Sequence, residues 1–139
     1  MNATMQVLTY LKNAQIFYIA TLKSDNPRMR PFGAICLYQD KLYICTNNQK
    51  DIFVQMMLHP QIELSASQED GSSLLIVATV VYDQSTEAKE AMLNDNPDLK
   101  KIYSVDDDLF EVLYLSDVSA TLSSPDGQVQ QIHFYSRTI

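Results

Sequence analysis

Glycine is scarce in this chain, with three in 139 residues, at positions 33, 71 and 127. Their spacing leaves no GxGxxG, no P-loop and no GxSxG elbow, so dinucleotide-fold and serine-hydrolase readings lose their main support. Arginine also numbers three, at 28, 30 and 137, in a chain of 10 basic and 17 acidic residues with a net charge of -7 and a pI near 4.6. That balance excludes broad binding along a nucleic-acid backbone, which needs many cations on one surface. The two cysteines, Cys36 and Cys45, form no CxxC and no Cys/His cluster with metal spacing. Both lie in apolar strand-type runs. If these pair about Gln39 and Asp40, the thiols share a face as diagonal neighbours, and buried reduced thiols are expected in preference to a disulfide. No apolar run is long enough to span a bilayer, and the N-terminal MNATMQVLTYLKNAQ has no basic region leading into a long apolar stretch. A soluble cytoplasmic protein is expected. Tryptophan is absent, which decides nothing by itself.

What is present suffices for one compact domain over residues 1–139, with 46% hydrophobic residues to build a core. Thr4 can cap a helix through about residue 13, with Val7, Leu8 and Leu11 at helical spacing. Residues 16–23 (IFYIATLK) are β-branched and aromatic, residues 24–27 carry turn chemistry, and residues 28–38 return as a strand. Gln39 and Asp40 connect this to a strand at 41–46, and Asn47 or Asn48 caps a helix over 51–58 that ends at His59 and Pro60. Strands at 61–68 and 73–82 flank an acidic turn, and the second, SSLLIVATVVY, is apolar enough to be expected buried on both faces. Ser85 opens a further helix, which Asn96 and Pro97 interrupt before a short helical turn through Tyr103. Asp106, Asp107 and Asp108 mark an exposed loop. The last strands are 110–116, 117–123 and 128–135. The predicted fold is mainly β with α: an antiparallel barrel with a few peripheral helices, closed so as to remove exposed edges.

The cations are distributed unevenly. Arg28, Arg30 and Lys50 fall within residues 26–55, NPRMRPFGAICLYQDKLYICTNNQKDIFVQ. Alternate arginines on a strand share one side and can converge on an oxyanion, although an isolated pair is ordinarily a solvated face. Lys50 bears on this choice because it falls at a helix start, where a cation opposes the helix dipole and better serves a bound anion. A phosphate held by arginine, lysine and backbone amides is the simplest common cause. The Thr46 hydroxyl suits a phosphate or a ring carbonyl. Phe32 and Tyr43 are core aromatics or border a planar ligand. His59 reads as a capping or surface residue. His133 has no partner cluster in the sequence that would make it a ligand or proton donor.

The runs IATLKSDNPRMRPFG, DKLYICTNNQKDIFVQM and HPQIEL, followed by the YDQSTEAKEAML helix and the LFEVLYL strand, resemble in order and spacing the pyridoxamine 5'-phosphate oxidase-like family of FMN-binding split barrels. The likeness is greatest to its short members related to nitroimidazole-resistance proteins. It implies an antiparallel split β-barrel and an FMN cofactor. Arg30, Pro31 and Phe32 would line the flavin, Thr46 and Asn47 would meet its ring or ribityl chain, and Lys50 would hold the phosphate. Arg28 and Gln55 would assist nearby. It further implies a homodimer with flavin sites at the interface and an oxidoreductase acting on a small molecule, the flavin carrying the electrons. The alternative is a flavin- or ligand-binding and sensing dimer without redox turnover. Haem is a third possibility, with no residue identified as an axial ligand.

The chain departs from this pattern at two places. Where relatives often carry Trp, Arg and Gly, it has Ser73, Leu75 and Ala78, and losing an arginine there removes a possible anion donor. Its end, HFYSRTI, supplies Arg137 alone where true pyridoxamine phosphate oxidases have a basic segment, which argues against vitamin B6 oxidation.

Overall fold

A computed structural model describes residues 1–136. Arg137 lies outside the described residues. The chain opens with α1 (Ala3–Ala14), which buries Val7, Leu8 and Leu11. Its cap is Asn2 rather than Thr4: Asn2 has the extended backbone a cap requires, and its side chain accepts from the Met5 N–H at 2.8 Å. Strand β1 (Phe17–Lys23) turns at Ser24 into β2 (Asn26–Phe32). The single strand expected over 28–38 breaks at 33–35, where the chain leaves β1 and crosses to form β3 (Cys36–Tyr38) against β4 (Lys41–Asn47). Gln39 and Asp40 link β3 to β4 with φ of 50° and 60°, the left-handed pair that a two-residue hairpin favours. Next come α2 (Asp51–Leu58), β5 (Gln61–Ser67), β6 (Ser73–Asp83) and α3 (Thr86–Asp95), followed by a 3-10 turn (Pro97–Lys101), β7 (Phe110–Ser123) and β8 (Val129–Tyr135). The Ser85 side chain caps α3 by accepting from the Ala88 N–H.

One antiparallel sheet runs in the order β2-β1-β5-β6-β7-β4-β3, with β8 also pairing β7. The two strands expected at 110–116 and 117–123 are one, β7, whose first half pairs with β4 and whose second half pairs with β8. The fork lies at Ser116. There the ladder with β6 slips by one residue, from Thr79↔Asp117 to Val80↔Leu115. The Ser116 hydroxyl donates to the Thr79 carbonyl at 3.2 Å, and the Ser116 carbonyl accepts from the Ser136 N–H at 2.7 Å. A bulge of this kind bends a strand and lets its halves serve different neighbours. The result is an antiparallel split β-barrel with peripheral helices. It is not closed, because among the described residues no ladder joins β2 to β3. Pro27 and Pro31 instead blunt the β2 edge, since neither offers an N–H to another strand.

Two apolar clusters share the sheet. Inside the barrel, under α1 and α2, sit Leu11, Phe17, Ile19, Ile44, Ile76 and Leu115 among others. Outside it, α3 covers Cys36, Tyr43, Cys45, Phe110, Val112 and Tyr114. Strand β4 and the first half of β7 are therefore the segments buried on both faces. Strand β6, expected to be so, alternates instead: Leu74, Ile76, Ala78 and Val80 face the core, while Leu75 is 51% exposed. Hydrophobicity alone does not reveal which strand a helix covers.

Cys36 and Cys45 lie free in the cluster under α3. Burial pushes each thiol up to about 12, so both stay protonated at neutral pH. Native protein in a mildly alkaline thiol-reagent assay should show no fast reaction, and both cysteines should react after unfolding. A rapidly reacting thiol in the native state would contradict this packing.

Candidate functional site

Between the β2–β3 connection, the end of β4 and the segment after α3 lies a cavity of about 580 Å³, within the size range of cofactor and small-molecule sites. One wall carries hydrogen-bond donors: Arg30 on β2, Thr46 near the end of β4 and Lys50 at the start of α2. The segment after α3 adds Pro97, Leu99, Ile102 and Tyr103 to the lining, with Asp95 and Asp98 also bordering the space.

Arg30 is fixed by a triangle of hydrogen bonds. Thr21 Oγ1 donates to Gln55 Oε1 at 2.6 Å, while Arg30 Nη1 donates to Thr21 Oγ1 at 3.1 Å and Nη2 to Gln55 Oε1 at 3.3 Å. Thr21 and Gln55 are 2% and 6% exposed, so these bonds form away from water. Two guanidinium N–H groups are used this way, and the others remain for a ligand. Register explains the placement: Ile19 pairs with Arg30 and Phe17 with Phe32, which aims both β2 side chains at the inner side of β1. Phe32 stacks on Phe17 with ring centroids 6.1 Å apart, and it lines the cavity together with Pro31.

Arg28 shares the face of Arg30 as expected but does not line the cavity: it sits at the exposed start of β2 and donates to the Pro27 carbonyl at 3.2 Å. Lys50 occupies the N-cap of α2, which Asn47 or Asn48 was expected to fill, and no side chain caps that helix. Asn47 Oδ1 instead accepts from the Gln49 N–H at 3.0 Å, and Asn48 Nδ2 donates to the Asp108 carbonyl at 2.7 Å. No ion pair to Lys50 forms among the described residues, so its charge faces a helix start that also repels cations. Asn47 does not line the cavity; its Nδ2 donates to the Tyr103 hydroxyl at 2.8 Å.

Thr46 is 5% exposed and lines the cavity, and its Oγ1 has no hydrogen-bond partner among the described residues. Glu111 lies directly opposite it across the β4/β7 ladder. That carboxylate is already engaged, by Lys89 at 3.3 Å and by a short bond from the Tyr82 hydroxyl. The hydroxyl is thus a buried polar group awaiting a partner, an arrangement that costs stability unless something binds there. Cys45 also borders the cavity, with its protonated thiol buried.

Several candidates lie elsewhere. Tyr43 is wholly buried under α3 and donates to Asp83 at 2.6 Å. His59 is the C-cap of α2, and His133 faces Asp117 at 3.1 Å on the outer sheet face. Ser73, Leu75 and Ala78 do not line the cavity. Thr21 and Tyr103 were missed. Thr21 was findable as a hydroxyl on the apolar face of IFYIATLK, which needs a buried partner. Tyr103 had no local signal, because its bond to Asn47 spans 56 positions.

No helix among the described residues is long and apolar enough to cross a membrane. Neither a family model nor a curated protein matches the chain. Solved structures do. The chain is similar to a NimC/NimA family protein from Clostridium acetobutylicum, with 39% identity, a TM-score of 0.93 and coverage of 95% of this chain and 92% of that one. A protein related to general stress protein 26 (pyridoxinephosphate oxidase family), also from C. acetobutylicum, matches at a TM-score of 0.69 with 15% identity, over 97% of this chain and 96% of that one. A haem-binding protein from Mycobacterium smegmatis matches at 0.73 with 14% identity, over 96% of this chain and 58% of the longer one. The last two likenesses show the fold alone.

Thr46→Val keeps the side-chain shape and removes the unpartnered hydroxyl. The unliganded variant should be at least as stable as the wild type in denaturant unfolding, because a buried unsatisfied group costs about 1–3 kcal/mol. A loss of stability beyond roughly 1 kcal/mol would mean that the hydroxyl has a protein partner after all.

Proposed function

Because this chain belongs to the NimC/NimA family, within the pyridoxamine 5'-phosphate oxidase-like split barrels, we propose that it is an FMN-binding flavoprotein that transfers electrons to or from a small molecule. The carrying observation is that Arg30 and Lys50 line one cavity together with Thr46, whose buried hydroxyl has no partner among the described residues. These residues fit a phosphate-bearing cofactor. A dianionic phosphate accepts from guanidinium, ammonium and hydroxyl groups alike, and a helix start adds N–H groups and a favourable dipole. The lining by Pro97, Leu99, Ile102 and Tyr103 suits a flat ring system.

In this reading Lys50 and the free N–H groups of Arg30 hold the phosphate, while Thr46 donates to the ribityl chain or the phosphate. Thr21 and Gln55 keep the guanidinium in place. Pro31 and Phe32 flank the ring and exclude water from it. FMN supplies the electron-carrying chemistry, so no protein nucleophile is needed, and the protonated Cys45 thiol is not one. Positive charge from Arg30 and Lys50 favours any state of the bound ligand that carries more negative charge.

A homodimer is part of the proposal. The outer sheet face carries Tyr18, Leu22 and Leu75, each at least 40% exposed, and a second copy would cover them. The departure at Leu75 then bears on a partner's site, since Leu75 lies away from the cavity of its own chain. Among the named solved structures, the M. smegmatis protein is described as haem-binding. Here neither His59 nor His133 lines the cavity, so a histidine-ligated haem is not the reading favoured.

Purified protein should be yellow, release FMN on denaturation and elute at the mass of a dimer. The double variant Arg30→Ala, Lys50→Ala should bind FMN more weakly by several kcal/mol, since each charge-assisted hydrogen bond contributes about 1.5–3 kcal/mol. A colourless preparation that takes up no added FMN would overturn the proposal. Unchanged affinity in the double variant would move the site elsewhere.

A further inference from the structure

Tyr103 belongs to the segment between α3 and β7, which no sequence motif singled out, and it lines the cavity with its hydroxyl bonded to the end of β4. Three contacts fix it. Its ring lies against Phe110 with centroids 4.9 Å apart, and its hydroxyl accepts from Asn47 Nδ2 at 2.8 Å. The 3-10 turn precedes it and ends at Lys101, and the Tyr103 N–H donates back to the Leu99 carbonyl at 2.9 Å. At the near end of the segment, Asn96 Nδ2 donates to the Ile35 carbonyl at 3.3 Å, which ties it to the β2–β3 connection.

The direction of the Asn47–Tyr103 bond is set by the other half of the amide. Asn47 Oδ1 accepts from the Gln49 backbone N–H at 3.0 Å, so the amide NH2 must be the half that meets Tyr103. The phenol is therefore used as an acceptor. Its own proton has no acceptor among the described residues, and Tyr103 is one of the residues lining the cavity.

From this geometry we infer that Tyr103 is a ligand-contacting residue, positioned by Asn47, whose O–H donates to an acceptor atom on the ring system of the bound cofactor. The inference rests on the FMN reading above and extends it. Arg30, Lys50 and Thr46 would serve the phosphate end, and Tyr103 the ring end, where flavin presents carbonyl oxygens and ring nitrogens. Asn47 then acts through Tyr103, and the direct contact with ring or ribityl chain expected from the family resemblance is replaced by an indirect one.

FMN titration, followed by flavin fluorescence, compares the wild type with Tyr103→Phe, Asn47→Ala and the double variant. Tyr103→Phe keeps the ring and its packing on Phe110 and removes the O–H alone. It should weaken binding about 3- to 10-fold and move the visible absorption bands of bound FMN, which respond to hydrogen bonds at the ring. In the unliganded protein Tyr103→Phe should lose only the Asn47–Tyr103 bond, giving a small fall in thermal midpoint that leaves the fold intact and cannot account for a shift of the flavin bands. The double variant should lose less than the sum of the single variants, since both changes remove the Asn47–Tyr103 bond, while Asn47→Ala also frees the Gln49 N–H. Wild-type affinity and wild-type bands in Tyr103→Phe overturn the inference while leaving the FMN reading standing. Additive losses in the double variant also overturn it, because Asn47 would then reach the ligand by itself. A wild type that takes up no FMN defeats the FMN reading, and this inference with it.

Discussion

The hydrogen-bonded triangle of Thr21, Gln55 and Arg30 ties α2 to the hairpin of β1 and the edge strand β2, which the backbone ladder already pairs. An edge strand interrupted by prolines has few ladder bonds to spare, and a guanidinium on it would ordinarily point to water. Two buried polar side chains reverse this. They need the arginine to complete their own hydrogen bonding, and in return they hold its remaining donors toward the cavity. Losing either Thr21 or Gln55 would leave a buried group unsatisfied and release the cation, so the local fold and the site depend on the same atoms.

A second constraint comes from the fork in β7. The bulge at Ser116 lets one long strand carry β4 on its first half and β8 on its second. Because α3 then covers the β4 half, that part of the sheet is buried on both faces, and the cavity opens where β4 emerges from this cover. Thr46 stands at that point. Its cross-ladder neighbour Glu111 is occupied by Lys89 and Tyr82, and the Thr46 hydroxyl has no partner among the described residues. Thr46 and the neighbouring donors are thus placed by the same topology that splits the barrel.

Much of this was legible in the sequence, and the limits have physical causes. Alternation and turn residues marked nearly every strand, and Lys50 was visible as a cation at a helix start. Arg28 lies outside the cavity lining, because a shared strand face does not say where a long side chain ends, and its guanidinium donates to the neighbouring Pro27 carbonyl. The cap of α2 was misplaced because asparagine favours many local hydrogen bonds, and Asn47 and Asn48 make theirs elsewhere. SSLLIVATVVY looked doubly buried because composition cannot say which strand lies beneath α3. Tyr103 was invisible, since its positioning bond to Asn47 joins residues far apart in the chain.

The central claim is that the Arg30 and Lys50 end of the cavity reads a phosphate while the segment after α3 reads a ring. Comparing FMN with riboflavin on the wild-type protein separates these two ends, since the ligands differ only in the phosphate. FMN is expected to bind at least about 100-fold more tightly, the product of two charge-assisted contacts at their lower limit of about 1.5 kcal/mol each. Equal affinities for the two ligands would contradict the claim.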